Sequence, residues 1–202
     1  MKNVIFDFGN VLVDWDPYLA LREYYPTKAD MLSHFETIQF FAWNTEQDRG
    51  RSWEDGFAWV DEHHPENAHI FRTYLDRIQD AHRDAIPGMP ELLCELFETG
   101  VAVFGLTNAA EESFQAVRKT VPEVDQMADI LVSAKEGLIK PSREIYELCL
   151  SRNGLIASDT IMIDDRADNC AGAEAVGMHS HQFVDALALR RALSEHSLLA
   201  HA

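Results

Sequence analysis

The sequence predicts an α/β fold, in which a Rossmann-like parallel sheet core carries helices on both faces and an all-helical cap is inserted into it. Short apolar runs alternate with amphipathic helical patterns over residues 86–202, as in chains built from strand–helix–strand units. Residues 15–85 show helical patterns alone, and such a stretch is too long for a loop. We therefore expect a core of residues 1–14 and 86–202 and a helical cap of residues 15–85.

Five runs are short, apolar and strand-like, which predicts buried strands. They are Val4–Phe6, Val101–Leu106, Ile130–Val132, Thr160–Ile163 and Gln182–Val184. Helical segments rather than tight turns separate the last four runs, so these strands are expected to be parallel.

Helices are predicted where apolar residues recur at helical spacing. Pro141 suits the first position of one helix, Asn153-Gly154 suits its end, and Asp185 can cap the last helix. The predicted core helices are Pro90–Thr99, Glu111–Thr120, Pro141–Asn153, Asn169–Val176 and Ala186 to about Leu199. The predicted cap helices are Pro17–Tyr25, Ala29–Trp43, Ser52–His63 and Pro65–Asp84.

Acidic residues outnumber basic ones by 34 to 17, which gives a formal net charge of −17. Nucleic acid and anionic membranes both require a basic face, so neither is an expected partner. A phosphorylated small molecule remains compatible, because it needs only a few local cations. The N-terminus lacks a basic segment followed by an apolar one, so a cytoplasmic protein is expected. Cys94, Cys149 and Cys170 are expected to be small buried hydrophobes, and the sequence does not indicate an oligomeric state.

The first strand ends at Asp7, and Gly9 and Asn10 follow it in a predicted tight loop. In parallel α/β sheets, ligands bind in the crevice beyond the strand tips. A carboxylate delivered to that edge is a candidate nucleophile or metal ligand. Asp7 alone is equally compatible with a turn cap.

Polar residues also occur at two later boundaries between predicted elements, one at the end of a strand and one at the start of a helix. Thr107 and Asn108 lie between a strand and a helix, where a hydroxyl, an amide and free N–H groups can bind an anion. A plain helix N-cap is the alternative. Lys140 precedes the predicted helix start at Pro141, where its charge opposes the helix macrodipole, which suggests a nearby anion. A solvated surface lysine is the alternative.

A fourth segment places two adjacent carboxylates, Asp164 and Asp165, after an apolar strand. Two charges about 4 Å apart repel by roughly 4 kcal/mol at an effective dielectric constant of about 20. We therefore expect a cation beside them, and oxygen ligands together with an anionic substrate indicate Mg²⁺. Neutralisation by Arg166 is the alternative.

Together these groups predict covalent hydrolysis of a phosphate ester, with Asp7, Thr107 and Lys140 as catalytic residues. Asp7 would attack phosphorus, while the metal, Thr107, Lys140 and backbone N–H groups would hold the phosphoryl oxygens. Water would then cleave the aspartyl-phosphate.

The same segments resemble the four motifs of the haloacid dehalogenase superfamily, and the resemblance covers essentially the whole chain. The matching segments are Phe6-Asp7, Leu106-Thr107-Asn108, Gly137-Leu138-Ile139-Lys140-Pro141, and Ile163-Asp164-Asp165 followed by Asn169. The resemblance implies that Asp7 is the nucleophile and that Thr107, Asn108 and Lys140 bind the phosphate.

The resemblance also implies a magnesium ion held by Asp7, the Gly9 carbonyl and Asp165. Asp164 would lie beside the ion or bind it through water, with Asn169 supporting these ligands. Within the superfamily, the chain is most similar to bacterial sugar-phosphate phosphatases acting on glucose 1-phosphate. The segments that carry this similarity are Gly9-Asn10-Val11, Asp48-Arg49-Gly50 leading to Phe57, and Ile86-Pro87-Gly88.

Gly9 departs from the superfamily pattern, in which phosphatases place a second aspartate two residues after the nucleophile as general acid and base. Such catalysis typically contributes about 10²–10⁴-fold, so the sequence predicts a slow phosphatase or a substitute proton donor. Asp14 or Asp16 is a candidate substitute. Otherwise Asp14 orders a loop and Asp16 caps the first cap helix.

Two other functions are compatible with Gly9. One is a metal-independent 2-haloacid dehalogenase, in which Asp7 attacks carbon and needs no general acid. The other is a non-catalytic member that keeps the fold. The Asp164-Asp165 pair favours the phosphatase over the dehalogenase. Substrate identity is expected to reside in the cap, where one or two of Phe41, Trp43 and Phe57 reach the site.

Overall fold

The computed structural model describes residues 1–199. Its strands are β1 Asn3–Phe6, β2 Ala102–Thr107, β3 Ile130–Val132, β4 Thr160–Asp164 and β5 His179–Gln182. They form one sheet in the order β3-β2-β1-β4-β5, and every neighbouring pair is parallel. The predicted parallel sheet is therefore confirmed. Residues 200–202 of the predicted core segment lie outside the described part of the chain.

Between β1 and residue 88 the chain forms helices and no further strand, within the residues described. The helices are α1 Pro17–Leu21, α2 Lys28–Thr37, α3 Phe40–Asp48, α4 Trp53–His63 and α5 Ala68–Asp76, with 3₁₀ turns at Pro65–Asn67 and Asp80–His82. Their inward side chains form a hydrophobic cluster of their own, called here the cap cluster. It contains Ala20, Leu21, Tyr25, Met31, Phe35, Ile38, Phe40, Trp43, Val60, Ile70, Phe71, Tyr74 and Ala81. A separate cluster supports the predicted division into core and cap, which stays a prediction.

Helices cover both faces of the sheet because side chains along each strand alternate between them. Val4 and Phe6 of β1 pack into one cluster and Ile5 packs into another. The helices after the cap are α6 Met89–Thr99, α7 Glu111–Thr120, α8 Ser133–Glu136, α9 Arg143–Asn153, α10 Ala167–Ala175 and α11 Ala186–Glu195. Buried residues of α6, α7 and α11 contribute to the Val4 side, and those of α9 and α10 contribute to the Ile5 side.

Several predicted bounds are wrong. The predicted helix Ala29–Trp43 is broken into α2 and α3 at Gln39, whose φ of 54° lies in the left-handed region. The segment predicted as Pro65–Asp84 keeps only α5 as α-helix. One further helix begins at Arg143 rather than at Pro141, and the last one ends at Glu195.

The last strand is displaced from its predicted position at Gln182–Val184. β5 occupies His179–Gln182 instead, and Val184 is 77% exposed. An edge strand gains its backbone hydrogen bonds without burying apolar side chains, so a polar segment serves there. Cys149 and Cys170 are buried as expected, whereas Cys94 is exposed. No helix within residues 1–199 is long and apolar enough to cross a bilayer.

Candidate active site

Three polar side chains lie at the carboxyl ends of the three central strands. The register of β1 against β2 and β4 puts these ends side by side. Asp7, Thr107 and Asp164 stand there, and all three are buried. The predicted convergence of these residues at one edge of the sheet is therefore present in the structure.

Lys140 joins two of these side chains. Its Nζ lies 2.9 Å from Asp7 Oδ1 and 2.7 Å from Asp164 Oδ2, and the residue is only 2% exposed. Burial alone would lower the pKa of this lysine, but the two carboxylates more than offset it and raise the pKa. Lys140 is thus a buried ammonium and not a solvated surface lysine.

Asp7 occupies an environment that opposes ionisation. Burial raises its pKa to about 7, against the opposing effect of Lys140 and with a further contribution from Asp164. The Phe8 N–H also donates to Asp7 Oδ1 at 2.7 Å. A cation placed against this carboxylate would favour its charged form, which is the form that acts as a nucleophile or a metal ligand.

Carboxylate oxygens of Asp7, Asp164 and Asp165 lie within 4.8 Å of one another. Such a set of hard oxygen ligands suits Mg²⁺. Asp165 is partly exposed and accepts a hydrogen bond from Asn10 at 3.3 Å, so its carboxylate is open to the site. Burial raises its pKa, and repulsion from Asp164 adds to that rise.

The Asp164 carboxylate accepts several hydrogen bonds from the protein. Its Oδ1 accepts from Asn169 Nδ2 at 2.9 Å and from the Arg166 N–H at 3.0 Å, while Oδ2 faces Lys140. The guanidinium of Arg166 instead binds Asp168, with its Nη2 at 2.7 Å from Oδ2. The alternative in which Arg166 pairs with Asp164 or Asp165 is therefore not seen, and Asn169 holds Asp164 in place.

Asn108 braces the loop that carries Lys140. Its Nδ2 donates to the Lys140 carbonyl at 2.9 Å, and its Oδ1 accepts from the Lys140 N–H at 2.8 Å. This double hydrogen bond ties the end of β2 to the segment before α9. Asn108 also lines the cavity, and within residues 1–199 its second amide N–H has no hydrogen-bond acceptor.

The start of α7 is less open to an anion than the sequence suggests. The helix begins at Glu111, and the Ala110 N–H donates to Asp48 Oδ1 at 3.1 Å. The Ala109 N–H donates to Ser133 Oγ at 2.9 Å. These two N–H groups are occupied, and neither Thr107 nor Asn108 is the N-cap residue.

A cavity of about 610 Å³ opens above the strand tips. Its floor includes Asp7, Thr107, Lys140 and Asp165, and its walls come partly from the helical segment, residues 15–82. Those residues are Trp15, Phe41, Asn44, Thr45, Asp48 and His82. The cavity therefore joins a polar, charged floor to a mixed aromatic and polar wall.

A family model described as haloacid dehalogenase-like hydrolase matches residues 1–177. The chain belongs to the haloacid dehalogenase-like hydrolase family. It is 31% identical to the sesquiterpene phosphatase astK of Aspergillus oryzae over 187 residues, which cover 93% of this chain and 92% of the relative. The resemblance that the four motifs carry is thus confirmed at the level of the family.

Solved structures of haloacid dehalogenase family enzymes share the fold. One from Bacteroides thetaiotaomicron aligns with a TM-score of 0.74 at 19% identity, covering 92% of this chain and 95% of that one. The wild type of the same enzyme was crystallised with magnesium and inorganic phosphate, and that structure aligns with a TM-score of 0.71 at 18% identity over 92% of this chain and 96% of that one. A dehalogenase with an intermediate complex aligns at 0.65 and 20% identity over 89% and 83%.

In this haloacid dehalogenase-like hydrolase, Asp14 and Asp16 do not line the cavity. Asp16 caps α1 by accepting from the Tyr18 N–H at 3.0 Å, and its carboxylate also pairs with Lys28 at 2.9 Å. Asp14 is exposed. Asp16 therefore has the predicted capping role, and neither residue lies where a substitute proton donor would be needed.

Of the three aromatic residues expected near the site, Phe41 lines the cavity. Trp43 is buried in the cap cluster and donates from Nε1 to the Gly56 carbonyl at 2.9 Å, while Phe57 packs against that cluster. Sequence reasoning named Asp48 only as part of the segment Asp48-Arg49-Gly50, without a role in the site, and it did not single out Trp15. An acidic residue at a helix end looks the same in sequence whether it faces solvent or a cavity.

Proposed function

We propose that this protein is a magnesium-dependent phosphomonoester hydrolase that forms an aspartyl-phosphate on Asp7. The observation that carries the proposal is the buried ammonium of Lys140 between Asp7 and Asp164, beside the open carboxylate of Asp165. This arrangement pairs a nucleophile with positive charge at a place where a divalent cation and a phosphoryl group both fit.

The residues present fit a magnesium ion. Asp7, Asp165 and the Gly9 carbonyl would hold it, with Asp164 beside it, and Asn169 would keep Asp164 in position. When bound, the ion supplies positive charge against the phosphoryl oxygens and the nucleophile. The complex of the Bacteroides enzyme with magnesium and inorganic phosphate supports this assignment by analogy.

Asp7 attacks phosphorus and displaces the alcohol, so that a bond from carboxylate oxygen to phosphorus replaces the ester bond. Thr107 and Lys140 bind the phosphoryl oxygens as charge develops on them. Asn108 donates its second amide N–H to the same oxygens. Its hydrogen bonds to the Lys140 backbone also hold that lysine in position. Water then cleaves the aspartyl-phosphate and regenerates Asp7.

Two classes of leaving group are compatible with the site. A sugar phosphate is the class suggested by the segments shared with glucose-1-phosphate phosphatases. An isoprenoid alcohol phosphate is the class suggested by the relative named a sesquiterpene phosphatase. Trp15 and Phe41 form an edge-to-face pair, with ring centroids 6.3 Å apart, at the cavity wall, and Asn44 and Thr45 stand near them. Aromatic rings and polar groups suit either class, so both belong in the assay.

The test is a panel of phosphate esters assayed with magnesium and with a chelator, using the wild type and an Asp7→Asn variant. The panel includes p-nitrophenyl phosphate, glucose 1-phosphate and farnesyl phosphate, and 2-chloropropionate tests for dehalogenation. We expect phosphate release that needs magnesium and is lost in D7N. Halide release that survives the chelator would identify a dehalogenase instead, and no turnover across the panel would identify a non-catalytic member.

A further inference from the structure

Expulsion of an alkoxide from a phosphate ester requires a proton at the leaving oxygen, and the residue two positions after Asp7 cannot supply one. That residue is Gly9, and no acidic side chain in the described part of the chain occupies the space where a side chain at this position would lie. A Cβ built on Gly9 would meet only Trp15 Cβ within 4 Å, at 3.9 Å. The proton must therefore come from another wall of the cavity.

Asp48, at the end of α3, brings a carboxyl group to that cavity from the cap. Among the cavity-lining carboxylates of residues 1–199, Asp7 and Asp168 each pair with a cation, and Asp165 belongs to the cluster of the proposed metal site. Asp48 is the remaining one, and within that part of the chain it makes no salt bridge. It is thus a cavity acid without a role in charge neutralisation.

Hydrogen bonds fix the Asp48 carboxyl where cap and core meet. Oδ1 accepts from the Ala110 N–H at 3.1 Å, and Oδ2 lies 3.3 Å from Asn44 Nδ2. The Asp48 carbonyl accepts from Ser133 Oγ at 2.6 Å. Cap and core together therefore hold the group, while part of it stays open to the cavity.

This environment favours the protonated form of Asp48. Burial raises the pKa to about 8, the hydrogen bond from Ala110 opposes the rise, and repulsion from Asp7 adds to it. A carboxylic acid that keeps its proton near neutral pH is suited to general acid catalysis.

We infer that Asp48 is the general acid and base of this site, in place of the absent side chain at Gly9. As the ester P–O bond breaks and the bond to Asp7 forms, the Asp48 carboxyl gives its proton to the leaving oxygen and becomes a carboxylate. That carboxylate then takes a proton from the water that attacks phosphorus. Cleavage of the aspartyl-phosphate frees Asp7 and leaves Asp48 protonated. The inference rests on the proposed function.

His82 is the other titratable cap side chain that lines the cavity, among the described residues. Its Nδ1 lies 2.8 Å from the Ile78 carbonyl, so this nitrogen carries the ring proton. Burial lowers the pKa of His82, which leaves the imidazole neutral and Nε2 without a proton. It has no acidic proton to give to the leaving oxygen, and the geometry favours Asp48.

The experiment compares an alkyl phosphate from the active panel with p-nitrophenyl phosphate, because p-nitrophenolate leaves without a proton. In Asp48→Asn, the amide oxygen can still accept from the Ala110 N–H. We expect kcat/KM to fall by about 10² or more for the alkyl ester and by less than about 10 for the aryl ester. Slow dephosphorylation should also produce a burst of p-nitrophenolate, followed by a slower steady state.

Ser133→Ala is the matched control, because it removes the hydrogen bonds that Ser133 Oγ makes with the Asp48 carbonyl and the Ala109 N–H and keeps the Asp48 carboxyl group. It should lower kcat/KM for both esters by the same factor. Gly9→Asp added to the D48N variant should restore part of the alkyl-ester activity, since the space beside Gly9 is open.

Equal losses for both esters in D48N, or an unchanged alkyl rate, would overturn the inference, and a slow aryl turnover without a burst would overturn the role as base. The proposed function is judged separately, by the loss of magnesium-dependent turnover in D7N.

Discussion

The charge balance of the site depends on Lys140. Three carboxylates and one ammonium give the group of Asp7, Asp164, Asp165 and Lys140 a formal charge of −2, which a divalent cation would neutralise. Because the ammonium is enclosed by protein, the protein rather than solvent must compensate its charge. The same contacts that place Lys140 for a phosphoryl oxygen therefore also hold the strand ends together.

Lys140→Met should strongly destabilise the fold, because it leaves two buried carboxylates without their ammonium. We expect a loss of about 3–5 kcal/mol in the free energy of unfolding, measured by urea denaturation without magnesium. The control is Lys135→Met, which removes the exposed pair with Glu111, 2.8 Å long, and should cost less than about 1 kcal/mol. Similar losses in the two variants would contradict the assignment of Lys140 as a buried ionic centre.

Sequence reasoning locates residues that are fixed by their own strand and fails for residues fixed by distant contacts. Asp7 and Asp164 each follow an apolar run, so the strand itself predicts where the carboxylate lies. Asp48 becomes a cavity residue only because it meets Ala110, 62 positions away, at the junction of cap and core. The residues around Asp48 carry no sequence signal that predicts this contact.

Local patterns predict most core elements because apolar periodicity follows burial. They fail where the backbone changes direction without a marker residue. Phe35 and Phe40 stack with ring centroids 3.8 Å apart, and the chain turns between them at Gln39, with neither glycine nor proline at the break. The error at β5 has a different cause. The apolar residues Phe183 and Val184 led to a strand predicted at Gln182–Val184, whereas the edge strand is the polar segment His179–Gln182.

The left-handed conformation of Gln39 gives a prediction for the α2–α3 break. This exposed residue has φ of 54°, which costs about 1–2 kcal/mol for a residue with a Cβ. Gln39→Gly should therefore stabilise the protein by about 0.5–1 kcal/mol, and Gln39→Val should destabilise it by more than about 1 kcal/mol. Urea unfolding of both variants checks this, and a glycine variant less stable than the wild type would show that the Gln39 side chain supports the turn.

At the scale of the whole molecule, the proposed function needs the helical segment seated on the sheet, because the cavity has walls from both. Hydrogen bonds join the helical segment to the rest of the chain at two separate places. Ser133 binds the Asp48 carbonyl on one side, and Gln79 Nε2 donates to Thr120 Oγ1 at 3.1 Å on the other. Thr120 Oγ1 in turn donates to the His82 carbonyl at 2.6 Å. Two residues that line the cavity, Asp48 and His82, are thus held by the core through their backbones.

Gly50 permits a close approach to Ala134 at this junction, and its replacement tests how far activity depends on that approach. A Cβ on Gly50 would lie 2.5 Å from the Ala134 carbonyl oxygen, and its φ of 95° already disfavours a side chain. Gly100 has a comparable φ of 77° with nothing within 4 Å of its Cβ position, so Gly100→Ala carries the backbone strain without the collision.

We expect Gly100→Ala to cost about 1–2 kcal/mol in the free energy of unfolding and to leave kcat/KM unchanged. Gly50→Ala should cost more and should also lower kcat/KM for every phosphate ester, because the collision pushes Asp48 and the cavity wall away from the strand tips. Urea unfolding and steady-state kinetics measure the two quantities. Equal effects of the two substitutions on both would show that the close approach at Gly50 does not position the site.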